Sequence, residues 1–537
     1  MKILSKLKNN LPSAKSALLA IVSAILLILA FPDFEFWFLA WFALIPLFIA
    51  IERERESFTK SFLLGWLFGI VFFFGSCWWL TFAPITYAKV PALLAYFLLL
   101  CATIATGFPL AIFGGIFSLF LKRFGVWGIL SAPFLWTALE FLRLWTTGNN
   151  WNAIGYSQAF NENLIQAASS GGVSLISFAI TLFNAYIALS IVRIFIQRKT
   201  FKNRIDWTLL VLIFFILSLI TTIPDLLTKN QNRQNEVTSQ VVAVQPNVPM
   251  SGLNRAKWRN LRQRQIDLAE NALSELINQK PITKNQSLIT VILPESPMNF
   301  QYEEDTEFQF FINEFATRNN VSVLFNSAEP DRRREFSYFN SAVMINEKGE
   351  KVAQYDKVYL LPFGEKVPLP ESIEWIIPTM VGRFSSGEEY DLLPFGDAKA
   401  GVMICFESHF PSLSREYVRN GADVLVEMTN DGYLGNTPVL RQHLASAVFR
   451  AVETNRPVLR VTNVGITAYI NERGEVLDAA DVYTEATRVW SVSKSDGKQT
   501  IYVRYGEWFA WICSFVSLAL LFLCFWSRKD LTTDKIG

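Results

Sequence analysis

Residues 401–407 read GVMICFE, an apolar run that stops at Cys405 and is followed by Phe406 and Glu407. A short, continuously apolar run of this kind reads as a strand covered on both faces. Four more strand-like runs recur, several of them apolar throughout: TSQVVAVQ at 238–245, LITVIL at 288–293, VSVLFN at 321–326 and DVLVEM at 423–428. Between and beyond them lie helical patterns near 253–279, 303–319, 411–420 and 438–455. Strands that alternate with helices predict an α/β layered domain.

Outward from this run, two further strings place a polar residue at a strand end or in a turn. VILPESP at 291–297 puts Glu295 after a buried strand, and YDKVYLLPFGEK at 355–366 carries Lys357 and Glu365. Strand ends in layered α/β domains are where sites collect. Taken singly, Glu295 also reads as a solvated turn, Lys357 as a surface lysine and Cys405 as inert core. Cys77, Cys101, Cys513 and Cys524 lie in apolar stretches, which leaves Cys405 without a disulfide partner in its own domain. Taken together, Glu295, Lys357 and Cys405 in that order resemble the nitrilase superfamily pattern. The two histidines allow a second arrangement, a Cys–His pair, for which His409 is near enough in sequence to Cys405.

The rest of the chain has another composition. Of 537 residues, 51% are hydrophobic and only 18% charged, against ~25% charged in soluble domains. The shortfall lies in 1–224 and 508–526. A helical span needs roughly 20 apolar residues. Eight segments qualify as candidates: 16–31, 36–51, 62–83, 91–121, 125–145, 170–196, 207–224 and 508–526. Lys and Arg collect in alternate short loops, such as Arg53, Arg55 and Lys60, then Lys122 and Arg123, then Arg198, Lys199, Lys202 and Arg204; on the opposite side Lys89 is the exception. That asymmetry predicts cytoplasmic termini. It also predicts a membrane domain of about seven spans at 1–224, a periplasmic catalytic domain at 225–507, and a last span with a cytoplasmic tail at 508–537. TKNQNRQNE at 228–236 reads as the linker out of the membrane. Glu140 and Arg143, three apart in the fifth span, are expected to form an ion pair facing the bundle. A net charge of +2 gives no reason to expect a nucleic-acid partner. His409 and His443 are the only histidines, so no ligand set for a metal is evident, and no cofactor is expected.

LPESP, YDKVYLLPFGE, CFES and TNDGYLGNTPVLRQH resemble the motifs of apolipoprotein N-acyltransferases. So do WNAIGYSQ at 151–158, NRAKW ending at Trp258, and the VTNVGIT and YVRYGEW strings. The resemblance runs along nearly the whole chain. It implies a multi-span α-helical membrane bundle carrying an α-β-β-α sandwich of nitrilase type. It also implies transfer of an acyl chain from a membrane phospholipid to the N-terminal amine of a diacylated apolipoprotein, in the bacterial inner membrane, by a monomer. Glu365, Glu407, Phe406, Trp258 and Asn430 take supporting or substrate-side places by the same resemblance. Phe406 departs from the tyrosine that many members carry after the nucleophile, and GYLG at 432–435 departs from their tryptophan.

The chemistry suits those residue types. A thiolate is the nucleophile, and a free cysteine is mostly protonated near neutrality. Glu295 would accept its proton. Lys357, with the backbone N–H of Phe406, would stabilise the tetrahedral oxyanion. A thioester on Cys405 then awaits the lipoprotein amine. Two other readings stay open: a membrane-tethered amidase or nitrilase that hands the acyl group to water, and an inactive nitrilase-like scaffold or transporter. IEWIIPTMV at 373–381 reads either as domain core or as a loop dipping into the outer leaflet.

Overall fold

The computed structural model describes residues 10–196, 218, 237–279, 288–295, 297–298, 300–362, 364–366 and 384–526. The chain divides into two compact units, residues 1–230 with 505–537, and residues 231–504. The 207–224 segment (Ser218 apart), the 228–236 linker and the 373–381 segment lie outside the described residues.

The first unit is helical. Its longer helices are α1 (Ala14–Ala30), α2 (Ile45–Arg53), α3 (Phe58–Ser76), α4 (Ala92–Thr106), α5 (Phe108–Phe124), α6 (Ala132–Thr147), α7 (Ala168–Ile191) and, from the end of the chain, α12 (Trp508–Trp526). Among the described residues, Phe58–Ser76, Ala92–Thr147, Ala168–Phe195 and Trp508–Trp526 are long and apolar enough to cross a membrane, and Ala14–Ala30 is apolar but shorter. Helix α12 leaves Phe515, Leu518, Phe522 and Trp526 exposed, as a lipid-facing helix does. Proline explains two departures from the expected spans. Residues 91–121 break at Gly107 into α4 and α5, and 36–51 resolve into a 3-10 turn, a short helix and α2; α5 and α2 each carry proline in the first turn, where its missing N–H costs nothing. Helices α3 and α5 approach closely through glycines: a Cβ on Gly65 would strike the Leu110 carbonyl, and one on Gly114 the Ser61 carbonyl.

The expected ion pair of Glu140 and Arg143 is not formed. Glu140 accepts from the Trp136 indole and the Ile154 N–H, both at 2.9 Å. Arg143 donates to Asn150 Oδ1 at 2.7 and 3.1 Å and lies over the Phe73 ring. Sequence spacing put both residues on one helical face, but the chain returning through 150–154 supplies each with a nearer partner.

The second unit stacks two sheets. One contains β1 (Val237–Gln245), β2 (Leu288–Ile292), β3 (Ser322–Pro330), β4 (Tyr338–Ile345), β5 (Lys351–Asp356) and β6 (Phe384–Ser385), with β13 (Ala486–Ser493) on the far edge of β1. The other runs β12 (Val476–Leu477), β11 (Ala468–Ile470), β10 (Val458–Thr462), β9 (Val424–Thr429), β8 (Ala398–Ile404), β7 (Leu392–Phe395). The centre of each sheet is parallel: β1, β2 and β3 in one, β8, β9 and β10 in the other. Parallel strands need crossover helices. These are α8 (Arg255–Gln279) and α9 (Thr306–Asn319) on the first sheet, and α10 (Pro411–Arg419) and α11 (Val439–Thr454) on the second. Asp305 caps α9 by accepting from the Phe308 N–H. Ile266, Ala269 and Leu273 of α8 and Phe308, Ile312 and Phe315 of α9 pack on Val242, Val291, Val323 and Phe325. The two sheets meet at the carboxyl ends of β1 and β10, where Thr462 Oγ1 donates to Gln245 Oε1 at 3.1 Å. The result is the expected α-β-β-α sandwich. Because the central strands of both sheets are parallel, their carboxyl ends gather loops that can converge on one site.

Candidate active site

Four strand ends meet. Glu295 follows β2, Lys357 follows β5, Cys405 follows β8 and Asn430 follows β9. Asn340 of β4 joins them. Its amide donates to Glu295 Oε1 at 3.1 Å and to Glu365 Oε1 at 2.7 Å, and its oxygen accepts from Asn326 at 2.7 Å. The Asn430 N–H donates to Glu295 Oε2 at 3.1 Å. Glu295 is therefore gripped through both oxygens, and its charge acts on the Cys405 thiol. Burial pushes its carboxyl above the usual range, with Lys357 pulling the other way.

The Lys357 ammonium is 1% exposed and lies 2.9 and 3.0 Å from the two Glu365 oxygens. Burial alone would favour the neutral amine, but the charges of Glu365 and Glu295 outweigh it and hold the lysine above its ordinary range. Glu365 is fixed in turn by the Leu361 N–H at 2.7 Å. Cys405 opens a 3-10 turn, Cys405–His409, with φ +54°. Burial, reinforced by Glu295, pushes its thiol well above the ordinary range, and Lys357 opposes without prevailing. Cys405 thus rests as a thiol, and any bond from its sulfur to a substrate requires that proton to leave.

Glu407 is wholly buried and accepts four hydrogen bonds. The Tyr355 hydroxyl (2.7 Å) and the N–H groups of Val358 (2.8 Å) and Tyr359 (3.0 Å) bind Oε1, and the Ile404 N–H (2.8 Å) binds Oε2. One side chain so ties the backbone after Lys357 to the backbone before Cys405. Burial pushes its pKa up to about 7 against the pull of Lys357 and those donors. Phe406 packs on the Phe410 ring at 5.3 Å and the His409 ring at 5.4 Å. Trp258 sits in the first turn of α8, which Asn254 caps through the Lys257 N–H at 2.9 Å; it is 38% exposed and joins none of the hydrogen bonds above. His409 Nδ1 meets the Ser446 hydroxyl at 2.6 Å, and burial keeps the ring neutral.

The structure thus brings Glu295, Lys357, Cys405, Glu365, Glu407 and Asn430 into one network and leaves Trp258 at the surface. Asn340 was missed by sequence reasoning. Its only sequence signal is an asparagine inside the apolar strand FNSAVMI. Asn463, whose amide donates to Asn430 Oδ1 at 3.1 Å, lies within VTNVGIT, one of the strings already noted.

Residues 23–186 match the apolipoprotein N-acyltransferase N-terminal domain family, and residues 263–502 match the carbon-nitrogen hydrolase family. Over 504 residues the chain is 31% identical to an apolipoprotein N-acyltransferase of Geobacter metallireducens, covering 92% of each sequence. It is 28% identical to that of Thermotoga maritima over 524 residues, 95% of this chain and 93% of the relative. Among solved structures, an amidase from Nesterenkonia sp. aligns with 50% of this chain and 93% of its own, at 16% identity and a TM-score of 0.35.

Proposed function

The chain belongs to the apolipoprotein N-acyltransferase family, and on that footing we propose that Cys405 carries the acyl group between a membrane phospholipid and the lipoprotein amine. The convergence of Glu295, Lys357 and Cys405 in one buried network carries this reading. In the first half-reaction the Cys405 sulfur attacks the ester carbonyl while Glu295 takes its proton. Lys357 stands where the oxyanion develops. Collapse expels lysophospholipid, to which Glu295 returns the proton, and leaves the thioester. In the second half-reaction the α-amine of the diacylglyceryl-cysteine attacks the thioester, Glu295 accepts the amine proton, and the thiol is restored. The loop charges support cytoplasmic termini and a catalytic unit on the periplasmic face of the inner membrane.

The test is direct. Purified protein incubated with phospholipid vesicles should gain one acyl chain on Cys405 by mass spectrometry. Addition of a diacylated lipopeptide should discharge it onto the peptide amine. Free fatty acid with no acylated peptide would favour the hydrolase reading instead.

A further inference from the structure

Beneath Cys405 lies a set of buried charges that the acyl-transfer steps do not use. Glu427 of β9 and Arg460 of β10 stand opposite each other in register, both wholly buried. Arg460 pairs with Glu427 and, at 2.8 Å, with Asp431. His443 of α11 sits against the same two acids. Its Nδ1 is 2.7 Å from Asp431 Oδ1, and its Nε2 is 2.9 Å from Glu427 Oε1. The contact with Glu427 is one of charge without hydrogen-bond geometry, whereas Nδ1 meets the Asp431 carboxylate and Nε2 the Cys405 carbonyl, two acceptors that only the doubly protonated ring can satisfy. Burial opposes that charge, but the acids prevail and the pKa is pushed up to about 9. His409 stacks on the ring at 4.8 Å, and the Ser408 hydroxyl lies 3.0 Å from Nε2.

The cluster touches both ends of the reaction site. At one end His443 Nε2 is 3.1 Å from the carbonyl oxygen of Cys405. Cys405 is a non-glycine residue at φ +54°, a conformation that costs ~1–3 kcal/mol and persists only where the surroundings hold it. At the other end Asp431 adjoins Asn430, whose N–H grips Glu295. The seat of Asp431 requires Gly465, because a Cβ there would stand 2.5 Å from Asp431 Oδ2.

We infer that His443 and Asp431 form a positioning pair for acyl transfer: the imidazolium grips the carbonyl of Cys405 and holds the nucleophile in its left-handed conformation, while Asp431 ties that grip to the turn that holds Glu295. The inference rests on the reading of Cys405 as nucleophile and Glu295 as base.

The test compares three substitutions in the full-length protein, with acylation of Cys405 by phosphatidylethanolamine vesicles followed by intact mass. His443→Gln keeps an N–H where Nε2 stood and so keeps the grip on Cys405. His443→Asn keeps an amide near Asp431 but falls short of the Cys405 carbonyl. His443→Leu removes both contacts. A misplaced nucleophile loses rate by ~10². Acylation should therefore slow ~10²-fold in the Leu and Asn variants, with the half-saturating phospholipid concentration little changed, and His443→Gln should recover at least about tenfold of that loss. The Gln and Asn variants, polar and alike in bulk, decide the matter if the Leu variant fails to fold. Equal rates for Gln and Asn, or a wild-type rate for Leu, would overturn the inference. A wild-type protein that takes up no acyl group on Cys405 would overturn the reading beneath it as well.

Discussion

At Cys405, charge and burial pull against each other. Burial and the nearby Glu295 hold the thiol protonated, and Lys357 only partly offsets them. A bond from this sulfur to a substrate therefore needs a base within reach at the moment of attack, and Glu295, whose charge acts on the thiol, is the candidate. Cys405→Ala should abolish thioester formation and acyl transfer while leaving the thermal midpoint near that of wild type, as read by intact mass and by calorimetry in detergent. Glu295→Gln and Lys357→Met should each lower the transfer rate by ~10² or more, the scale of losing a general base or an oxyanion partner. His409→Ala should cost far less, because that ring is neutral and bonded to Ser446. A dead His409→Ala beside an active Glu295→Gln would replace the Glu–Lys–Cys reading with a Cys–His pair. At this scale the sequence named the nucleophile, base and lysine candidates through their strings, but not Asn340. No spacing rule predicts that an asparagine of β4 spans two carboxylates brought together from residues 295 and 365.

Between residues and the whole chain, the elements show where charge and close packing were set. Strand β9 buries Glu427 and strand β10 buries Arg460, so the run read at 423–428 carries one half of a cross-strand ion pair. Removing one partner of such a pair costs ~3–5 kcal/mol, because the other charge stays buried. His443 gives this cluster a pH dependence. Its folded pKa of about 9 lies above the unfolded value near 6.5. Below 6.5 both states hold the proton and the full contribution is present. As pH rises toward 9 the unfolded chain releases its proton first, so stability falls, and above 9 the contribution is lost. The size is about 3 kcal/mol at most. The denaturation midpoint of the catalytic unit should thus drop between pH 6.5 and 9, and His443→Gln should flatten that slope. In the membrane unit, Gly65→Leu should drive α3 and α5 apart, since even a Cβ at Gly65 meets the Leu110 carbonyl. A lower thermal midpoint in detergent, with Gly65→Ala intermediate, would register it.

The chain joins a unit with helices apolar enough to cross a membrane to a unit of two stacked sheets, an arrangement that suits the proposed transfer between two lipid-anchored substrates. Drawing a long acyl chain into water would cost more than ~10 kcal/mol at ~0.8 kcal/mol per CH₂. Cysteines introduced at the exposed Lys348 and Lys498, in a background without the native thiols, should react with an impermeant maleimide in intact spheroplasts. Labelling only after lysis would reverse the topology. The sequence by itself determined the division into apolar and mixed segments, the alternation of strands and helices, and the strings holding Glu295, Lys357 and Cys405. Those features are local, since hydrophobic period, turn residues and charge asymmetry are written within a few residues of one another. Only the tertiary structure decided which polar groups pair. Glu140 and Arg143, neighbours on a helix, take partners from the 150–154 turn or nearby. Glu407 joins backbone from two strand ends, and His443 reaches the carbonyl of a residue 38 positions away. A buried polar group takes the nearest partner in space, because an unmet hydrogen bond there costs ~1–3 kcal/mol, and nearness in space is set by how the sheets stack rather than by any pattern along the chain.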